Sequence, residues 1–64
     1  MEDKKYTIRQ LRGLAGWTQA ETAEKLGVST QTYNAWEKDI SNVGISKVMA
    51  LADIFGVKLS QIKV

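Results

Sequence analysis

Apolar residues recur at helical spacing in four stretches of the chain, and a glycine follows three of these stretches. Residues three or four positions apart share one face of a helix, so each stretch indicates a helix with one buried side. Glycine ends helices because it adopts the left-handed backbone conformation at low cost. The inward positions are Ile8, Leu11 and Ala15, then Thr22, Ala23 and Leu26, then Tyr33 and Trp36, and finally Val48, Leu51, Ala52 and Phe55.

The helix starts are marked by capping residues. Thr7 with Gln10, and Thr18 with Glu21, have the capping-box spacing, in which a hydroxyl and a side chain three residues later satisfy each other's backbone amides. Ser29 is placed to cap a third helix. These signals predict helices over about 8–15, 19–26, 30–38 and 45–55, with a loop and not a strand over 38–44.

The remaining segments complete one small all-α domain over residues 1–64. Residues 1–6 are expected to form a short N-terminal tail, and 57–64 has room for a fifth helix of one or two turns. Leu14 is expected to pack near the end of the first helix, and Met49 and Ile54 to widen the stripe of the fourth. The predicted core consists of Ile8, Leu11, Ala15, Ala23, Leu26, Val28, Tyr33, Trp36, Val48, Leu51, Ala52 and Phe55.

Composition narrows the function. The 64 residues include no cysteine, histidine or proline, which excludes disulfides and the usual zinc sites, and no metal or other cofactor is expected. No apolar run approaches the roughly 20 residues that span a bilayer, so we expect a cytoplasmic protein with no membrane partner. The net charge of +2 is compatible with a nucleic-acid partner without identifying one. Neither a catalytic constellation nor a small-molecule site is evident, so an enzyme is the poorest hypothesis.

The second and third predicted helices, joined by a short turn containing glycine, match the helix-turn-helix, whose second helix enters the DNA major groove. The matching residues are Thr18-Gln19, Ala23, Gly27-Val28-Ser29, Tyr33 and Trp36-Glu37, and the match extends to 8–12 and 51–57. The chain resembles the Cro and phage-repressor family of XRE-type helix-turn-helix proteins. This resemblance implies a compact five-helix, lambda-repressor-like DNA-binding domain.

The first turns of the third helix hold the candidate base readers. In this docking mode the N-terminal residues of the recognition helix, here about 30–38, approach base edges. Gln31 can pair with adenine, Thr30 can offer a hydroxyl or a methyl, Asn34 can reach a base or a phosphate, and Ala35 can touch a thymine methyl. The helix carries no arginine, which favours an A·T-leaning site. The alternative for each residue is an ordinary solvated helix face.

The resemblance also implies contacts to phosphate and one structural ion pair. Gln19, with Thr18 beside it, begins the second helix, where backbone amides favour a phosphate. Further phosphate contacts are expected around the loop after the third helix, from Lys38, Ser41, Asn42 and Lys47. Arg12 and Glu37 match a bridge between the first and third helices. Two residues depart from the family pattern: Asp39 stands where a small turn residue is usual, and Thr22 where leucine is usual.

We therefore expect a sequence-specific regulator of transcription, a repressor of the phage, prophage or small bacterial type, located at the nucleoid. It is expected to bind double-stranded operator DNA as a homodimer on an inverted repeat, with Leu59, Ile62 and Val64 available for dimerisation. The alternative is a protein-binding module on the same fold, such as an antirepressor or an antitoxin-like partner. Salt-dependent DNA binding discriminates the two hypotheses.

Overall fold

A computed structural model describes residues 4–63, so the predictions for residues 1–3 and for Val64 lie outside the described part of the chain. The helices are α1 (Ile8–Ala15), α2 (Gln19–Leu26), α3 (Thr30–Lys38) and α4 (Ile45–Phe55), followed by a 3₁₀ turn (Leu59–Gln61). The all-α fold is confirmed, and the four α-helices have the predicted bounds. The expected fifth helix is only this single 3₁₀ turn.

Local side-chain chemistry sets the helix ends. The Thr7 hydroxyl accepts from the Gln10 amide at 3.1 Å, and the Gln10 side chain accepts from the Thr7 amide at 2.9 Å. Thr18 and Glu21 form the same reciprocal pair at the start of α2. Three helices end at a left-handed glycine, with φ of 77°, 71° and 67° at Gly16, Gly27 and Gly56. Both capping boxes and all three glycine stops are therefore confirmed.

The core lies where α4 packs against α1 and α2, with α3 packed against α2. Tyr33 and Leu51 are completely buried, and so is the polar Thr22. The Thr22 hydroxyl donates to the Thr18 carbonyl at 2.9 Å, so this residue is buried with its donor satisfied. The buried apolar residues are Ile8, Leu11, Ala23, Tyr33, Val48, Leu51, Ala52 and Ile62. Leu26, Val28, Trp36 and Phe55 are half-buried against this cluster.

Three packing predictions are wrong: Ala15 was expected in the core, Leu14 was expected to pack near the end of the first helix, and Met49 was expected to widen the stripe of the fourth. Ala15 is exposed because it is the last residue of α1, and the chain turns away at Gly16 before this side reaches another helix. Leu14 is 76% exposed, and Met49 on α4 is 57% exposed. Met49 is two residues before Leu51 and therefore lies on the opposite side of α4. Leu14 is in the last turn of α1, where its side chain extends beyond the part of the helix that the core covers.

The N-terminal segment is tied to the C-terminal end of the chain. The Tyr6 amide donates to the Gln61 carbonyl at 2.8 Å, and the Lys63 amide donates to the Tyr6 carbonyl at 2.8 Å. Tyr6 is half-buried and Ile62 is only 5% exposed. The expectation that the tail extends through residue 6 is therefore wrong, and Ile62 is a core residue and not an exposed dimerisation residue.

Aromatic packing holds the turn before α2 against the end of α4. The Trp17 and Phe55 rings stack with centroids 5.6 Å apart, and the Lys25 ammonium lies 4.6 Å from the centroid of the Trp17 ring. A cation over an aromatic face is attracted by the ring quadrupole. This cluster gives Trp17 a packing role on the side of α2 near α4.

Candidate nucleic-acid interface

Helices α2 and α3 form the helix-turn-helix. The turn between them is Gly27-Val28-Ser29, and the Val28 amide donates back to the Ala23 carbonyl at 3.0 Å. The Ser29 hydroxyl accepts from the Thr32 amide at 3.1 Å and so caps α3. Val28 is half-buried against the core, which fixes the turn and with it the direction in which α3 leaves α2.

The outer face of α3 is polar and uncharged over its first two turns. Thr30, Gln31 and Ala35 are exposed, while Tyr33 on the opposite side is completely buried. Neither Thr30 nor Gln31 has a side-chain hydrogen bond to another residue in the described range 4–63. These two side chains are therefore available to an external partner, as base readers must be.

Asn34 occupies a different environment. It is half-buried, and its side-chain amide donates to the carbonyl oxygen of the Gln19 side chain at 3.2 Å. Asn34 therefore differs from the other predicted base readers, which are exposed, because it is half-buried and one of its donors is already used within the protein.

Gln19 links α2 to the far end of α3. Its side-chain amide donates to Glu37 Oε1 at 2.9 Å, while its carbonyl accepts from Asn34. The Gln19 side chain was predicted to contact phosphate, and here both of its ends contact protein. One N–H of its amide group has no partner among the described residues, which leaves a donor for an external group.

Glu37 receives a second set of hydrogen bonds from α1. Arg12 Nε donates to Glu37 Oε2 at 2.6 Å, and Arg12 Nη2 lies 3.5 Å from Glu37 Oε1. Arg12 Nη1 donates to the Trp17 carbonyl at 3.0 Å. Arg12, Gln19, Asn34 and Glu37, called the polar network below, therefore join α1, α2 and α3.

The network keeps Glu37 ionised. Burial by itself raises the pKa of Glu37, but the hydrogen bonds from Arg12 and Gln19 outweigh burial, so its pKa lies below the ordinary value. The hydrogen bond to Glu37 raises the pKa of Arg12. Beside them the Tyr33 hydroxyl is buried without a well-formed hydrogen bond to a described residue, and burial raises the pKa of this phenol. An ionised carboxylate only accepts hydrogen bonds, which determines how its neighbours must orient.

The predicted phosphate contacts around the loop differ in availability. Lys38, Asn42 and Lys47 are exposed. The Ser41 hydroxyl donates to Asp39 Oδ1 at 2.6 Å, so it is engaged within the loop. The side-chain and backbone hydrogen bonds from Ser41 lower the pKa of Asp39, which places a carboxylate in a region predicted to face phosphate.

The start of α4 offers backbone donors instead. Gly44 provides no side-chain cap, whereas Thr7, Thr18 and Ser29 cap the other three helices. The first amides of an uncapped helix have no intrahelical acceptor and attract anions. Lys47 stands in this first turn, so a cation and free backbone amides lie at the same place.

Arg9 was not predicted as a site residue. It is exposed and lines the same surface hollow as the polar network and Lys38. Its position three residues before Arg12, on the same side of α1, was the available signal in the sequence. Thr18, predicted to contact phosphate, is exposed but uses its hydroxyl oxygen as the cap of α2.

Within residues 4–63 no group of carboxylates is arranged to hold a metal ion. None of the helices in that range is long and apolar enough to cross a membrane.

The sequence profile of a helix-turn-helix family matches residues 8–62, which include all four α-helices and the 3₁₀ turn. The chain is also 38% identical over 58 residues to an uncharacterized HTH-type transcriptional regulator, MJ0272, of Methanocaldococcus jannaschii. The alignment covers 91% of this chain and 88% of that relative. No solved structure matches the chain significantly. The fold, the helix-turn-helix geometry and these similarities together show that the chain belongs to the XRE-type helix-turn-helix family.

Proposed function

We propose that the protein is a sequence-specific regulator of transcription that places α3 in the major groove of double-stranded DNA. The observation that carries this proposal is the exposed pair Thr30 and Gln31, whose side chains have no hydrogen-bond partner among residues 4–63, at the start of the second helix of a helix-turn-helix. Side chains at this position reach base edges in this docking mode. The similarity to a protein described as a transcriptional regulator supports the same conclusion.

Base reading is assigned first to Gln31, which can form two hydrogen bonds to adenine, and then to Thr30. Ala35, one turn further along the exposed face, is positioned to touch a thymine methyl group. The absence of arginine from α3 favours sites rich in A·T pairs. Occupation of an operator by such a domain blocks other proteins from the same DNA, and the protein then acts as a repressor.

Phosphate contacts are assigned to the two ends of this surface. Gln19 offers its remaining N–H at the start of α2, next to Thr18, while Lys38, Asn42 and Lys47 lie around the loop and the start of α4. Cations and helix N-termini are common ligands of DNA phosphates. No phosphate contact is assigned to the Ser41 hydroxyl, because it already donates to Asp39, although Ser41 lies in the same loop as Asn42.

We propose a two-fold homodimer through an apolar patch formed by Ile45, Met49 and Leu59. These side chains are 64%, 57% and 44% exposed. Ile45 and Leu59 line a hollow together with Ile40, Val43 and Val48, and Met49 lies one helical turn after Ile45 on α4. A second copy suits this patch because two-fold symmetry brings identical apolar surfaces together. The loop from α3 to α4 connects the patch to the recognition helix, and a pair of half-sites about 34–36 Å apart follows from one turn of B-DNA.

The second candidate is a protein-binding module without DNA contacts. The observation that favours it is the engagement of Gln19 and Ser41 within the protein, which leaves fewer free donors for phosphate. Salt dependence separates the two candidates, since each neutralised phosphate contributes a slope of about −0.9 in log affinity against log salt.

The test is selection of bound duplexes from a random pool, with wild type, Gln31→Ala and the control Glu24→Ala on the exposed side of α2. We expect wild type and the control to enrich the same inverted repeat. Gln31→Ala should lose preference at one position in each half-site, a cost of about 1–3 kcal/mol for that base pair. Enrichment of no motif by the wild type contradicts specific regulation, and an unchanged motif with Gln31→Ala contradicts the assignment of Gln31.

A further inference from the structure

The orientation of two side-chain amides in the polar network is dictated by one carboxylate. Glu37 is only 6% exposed in its side chain and is paired with Arg12 at 2.6 Å. Because the ionised carboxylate can only accept, Gln19 must turn its NH₂ group toward Glu37, as the 2.9 Å hydrogen bond shows. The Gln19 carbonyl then faces Asn34, which must in turn present its own NH₂ group, at 3.2 Å.

These hydrogen bonds leave one donor of Gln19 available at the protein surface. The Gln19 NH₂ group has two hydrogens and uses one of them on Glu37, and the second has no acceptor in the described part of the chain, so it is available to a group outside the protein. Gln19 is the first residue of α2, where the helix dipole also favours an anion. Asn34 donates to the carbonyl end of the same amide group and so restrains its rotation about the Cγ–Cδ bond of Gln19.

We infer that Asn34 is a positioning residue: it holds the Gln19 amide so that its free N–H points at a DNA phosphate, and it does not read a base. This inference rests on the proposed DNA binding and revises the role first expected of Asn34. Gln31, one turn earlier on the same helix and without a partner in the described range, keeps the base-reading role.

The experiment replaces single phosphates of the selected operator with neutral methylphosphonates and measures the affinity for each duplex. For the wild type, neutralising the phosphates assigned to Lys38, Asn42 and Lys47 should weaken binding. We expect one further sensitive position in each half-site, at the start of α2, where neutralisation weakens binding about 10-fold, the effect of losing one charge-assisted hydrogen bond. Gln19→Ala and Asn34→Ala should each make that position insensitive, with a change below about 2-fold. The double variant should bind no more weakly than Gln19→Ala alone, because the two residues act on one contact.

Two further variants separate positioning from folding and from base reading. Asn34→Asp keeps the shape of the side chain but cannot donate to the Gln19 carbonyl at neutral pH, so it should abolish the same phosphate sensitivity. Gln31→Ala should keep that sensitivity while losing its base preference. Urea unfolding of each variant verifies that the folded protein is the species that binds.

The outcomes distinguish this inference from the proposed function. If the wild type selects a motif but Asn34→Ala stays sensitive at the same phosphate, or changes the selected base at one position, the positioning role is overturned and DNA reading stands. A wild type that selects a motif but has no phosphate whose sensitivity depends on Gln19 overturns it equally. A wild type that binds no duplex at low salt overturns both the positioning role of Asn34 and the proposed DNA binding.

Discussion

Loss of the Arg12–Glu37 ion pair is expected to destabilise the protein unequally according to which partner is removed. Replacing Arg12 with methionine keeps an apolar stem of similar reach but leaves Glu37 charged, with only 6% of its side chain exposed. Replacing Glu37 with glutamine leaves Arg12, which is 20% exposed and still donates to the Trp17 carbonyl. An unpaired charge costs more where water cannot reach it, so Arg12→Met should be the more harmful change.

The magnitude follows from the burial of the two groups. Breaking a fully buried pair by removing one partner costs about 3–5 kcal/mol, and an exposed pair contributes about 0.2–1 kcal/mol. Since this pair is nearly buried on one side only, we expect about 2–3 kcal/mol for Arg12→Met and about 1–2 kcal/mol for Glu37→Gln. A domain of this size has a total stability of about 3–10 kcal/mol, so the first loss is readily measured.

Urea unfolding followed by far-ultraviolet circular dichroism measures both variants and the double variant at pH 7. The expected coupling between Arg12 and Glu37 is about 1–2 kcal/mol, because the double variant leaves neither charge unpaired. Equal slopes against urea are required for the comparison, since a changed slope means a changed unfolded or native ensemble. A cost of less than about 1 kcal/mol for Arg12→Met, or two single costs that simply add, refutes the argument from burial.

The pH dependence provides a second check on the same pair. The pKa of Glu37 is lowered in the folded protein, so its stabilising effect is present above the pKa of the unfolded chain and is lost as pH falls through the folded value. In Arg12→Met the main hydrogen bond is absent and burial dominates, which raises the pKa of Glu37. The stability difference between wild type and Arg12→Met should therefore shrink as pH falls from 7 toward 3, and a constant difference contradicts this explanation.

Three further changes test the core, the turn and the apolar patch. Leu51→Ala should lower the free energy of unfolding by about 2–5 kcal/mol because Leu51 is completely buried. Leu14→Ala, at a side chain that is 76% exposed, should change it by less than about 0.5 kcal/mol. Similar thermal unfolding curves for both variants contradict the core assignment. Gly27→Ala should destabilise the protein by about 1–2 kcal/mol because the backbone at Gly27 is left-handed, with φ of 71°. Gly13→Ala, in open space within α1, should stabilise it by about 0.4–1 kcal/mol. Thermal unfolding measures both changes, and equal effects contradict the left-handed conformation at Gly27. Leu59→Lys places a charge in the apolar patch and should abolish the dimer on operator DNA, as measured by sedimentation equilibrium. The control Leu14→Lys, at an exposed residue outside the patch, should leave the dimer intact. A dimer that persists in Leu59→Lys shows that the patch is not the interface.

The helix boundaries were predictable because they depend on neighbours in the chain. Thr7 and Thr18 satisfy amides three residues away, and Gly16, Gly27 and Gly56 stop helices through their own backbone freedom. None of these interactions requires another helix. For 57–64, one or two helical turns were expected, and the segment forms a single 3₁₀ turn, the form that short helical pieces commonly take.

Burial was predictable only where the helical stripe is narrow and central. Leu11, Ala23, Tyr33 and Leu51 are buried as expected, while Leu14 and Met49 are exposed, although all are apolar or small residues at plausible spacing. The difference lies in which face of each helix meets a neighbour. That depends on the crossing of α1 and α4, which periodicity within one helix does not contain.

The sequence by itself determined the four α-helices, their caps, the helix-turn-helix and the exposed position of Thr30 and Gln31, because these follow from contacts within a few residues. Only the tertiary structure decided what Gln19 and Asn34 do with their amides. Gln19 is bonded to Asn34 and Glu37, which lie 15 and 18 residues away along the chain, and the charge of Glu37 on α3 sets the direction of both hydrogen bonds. Burial of Ile62 was likewise decided by its pairing with Tyr6, from the other end of the described chain.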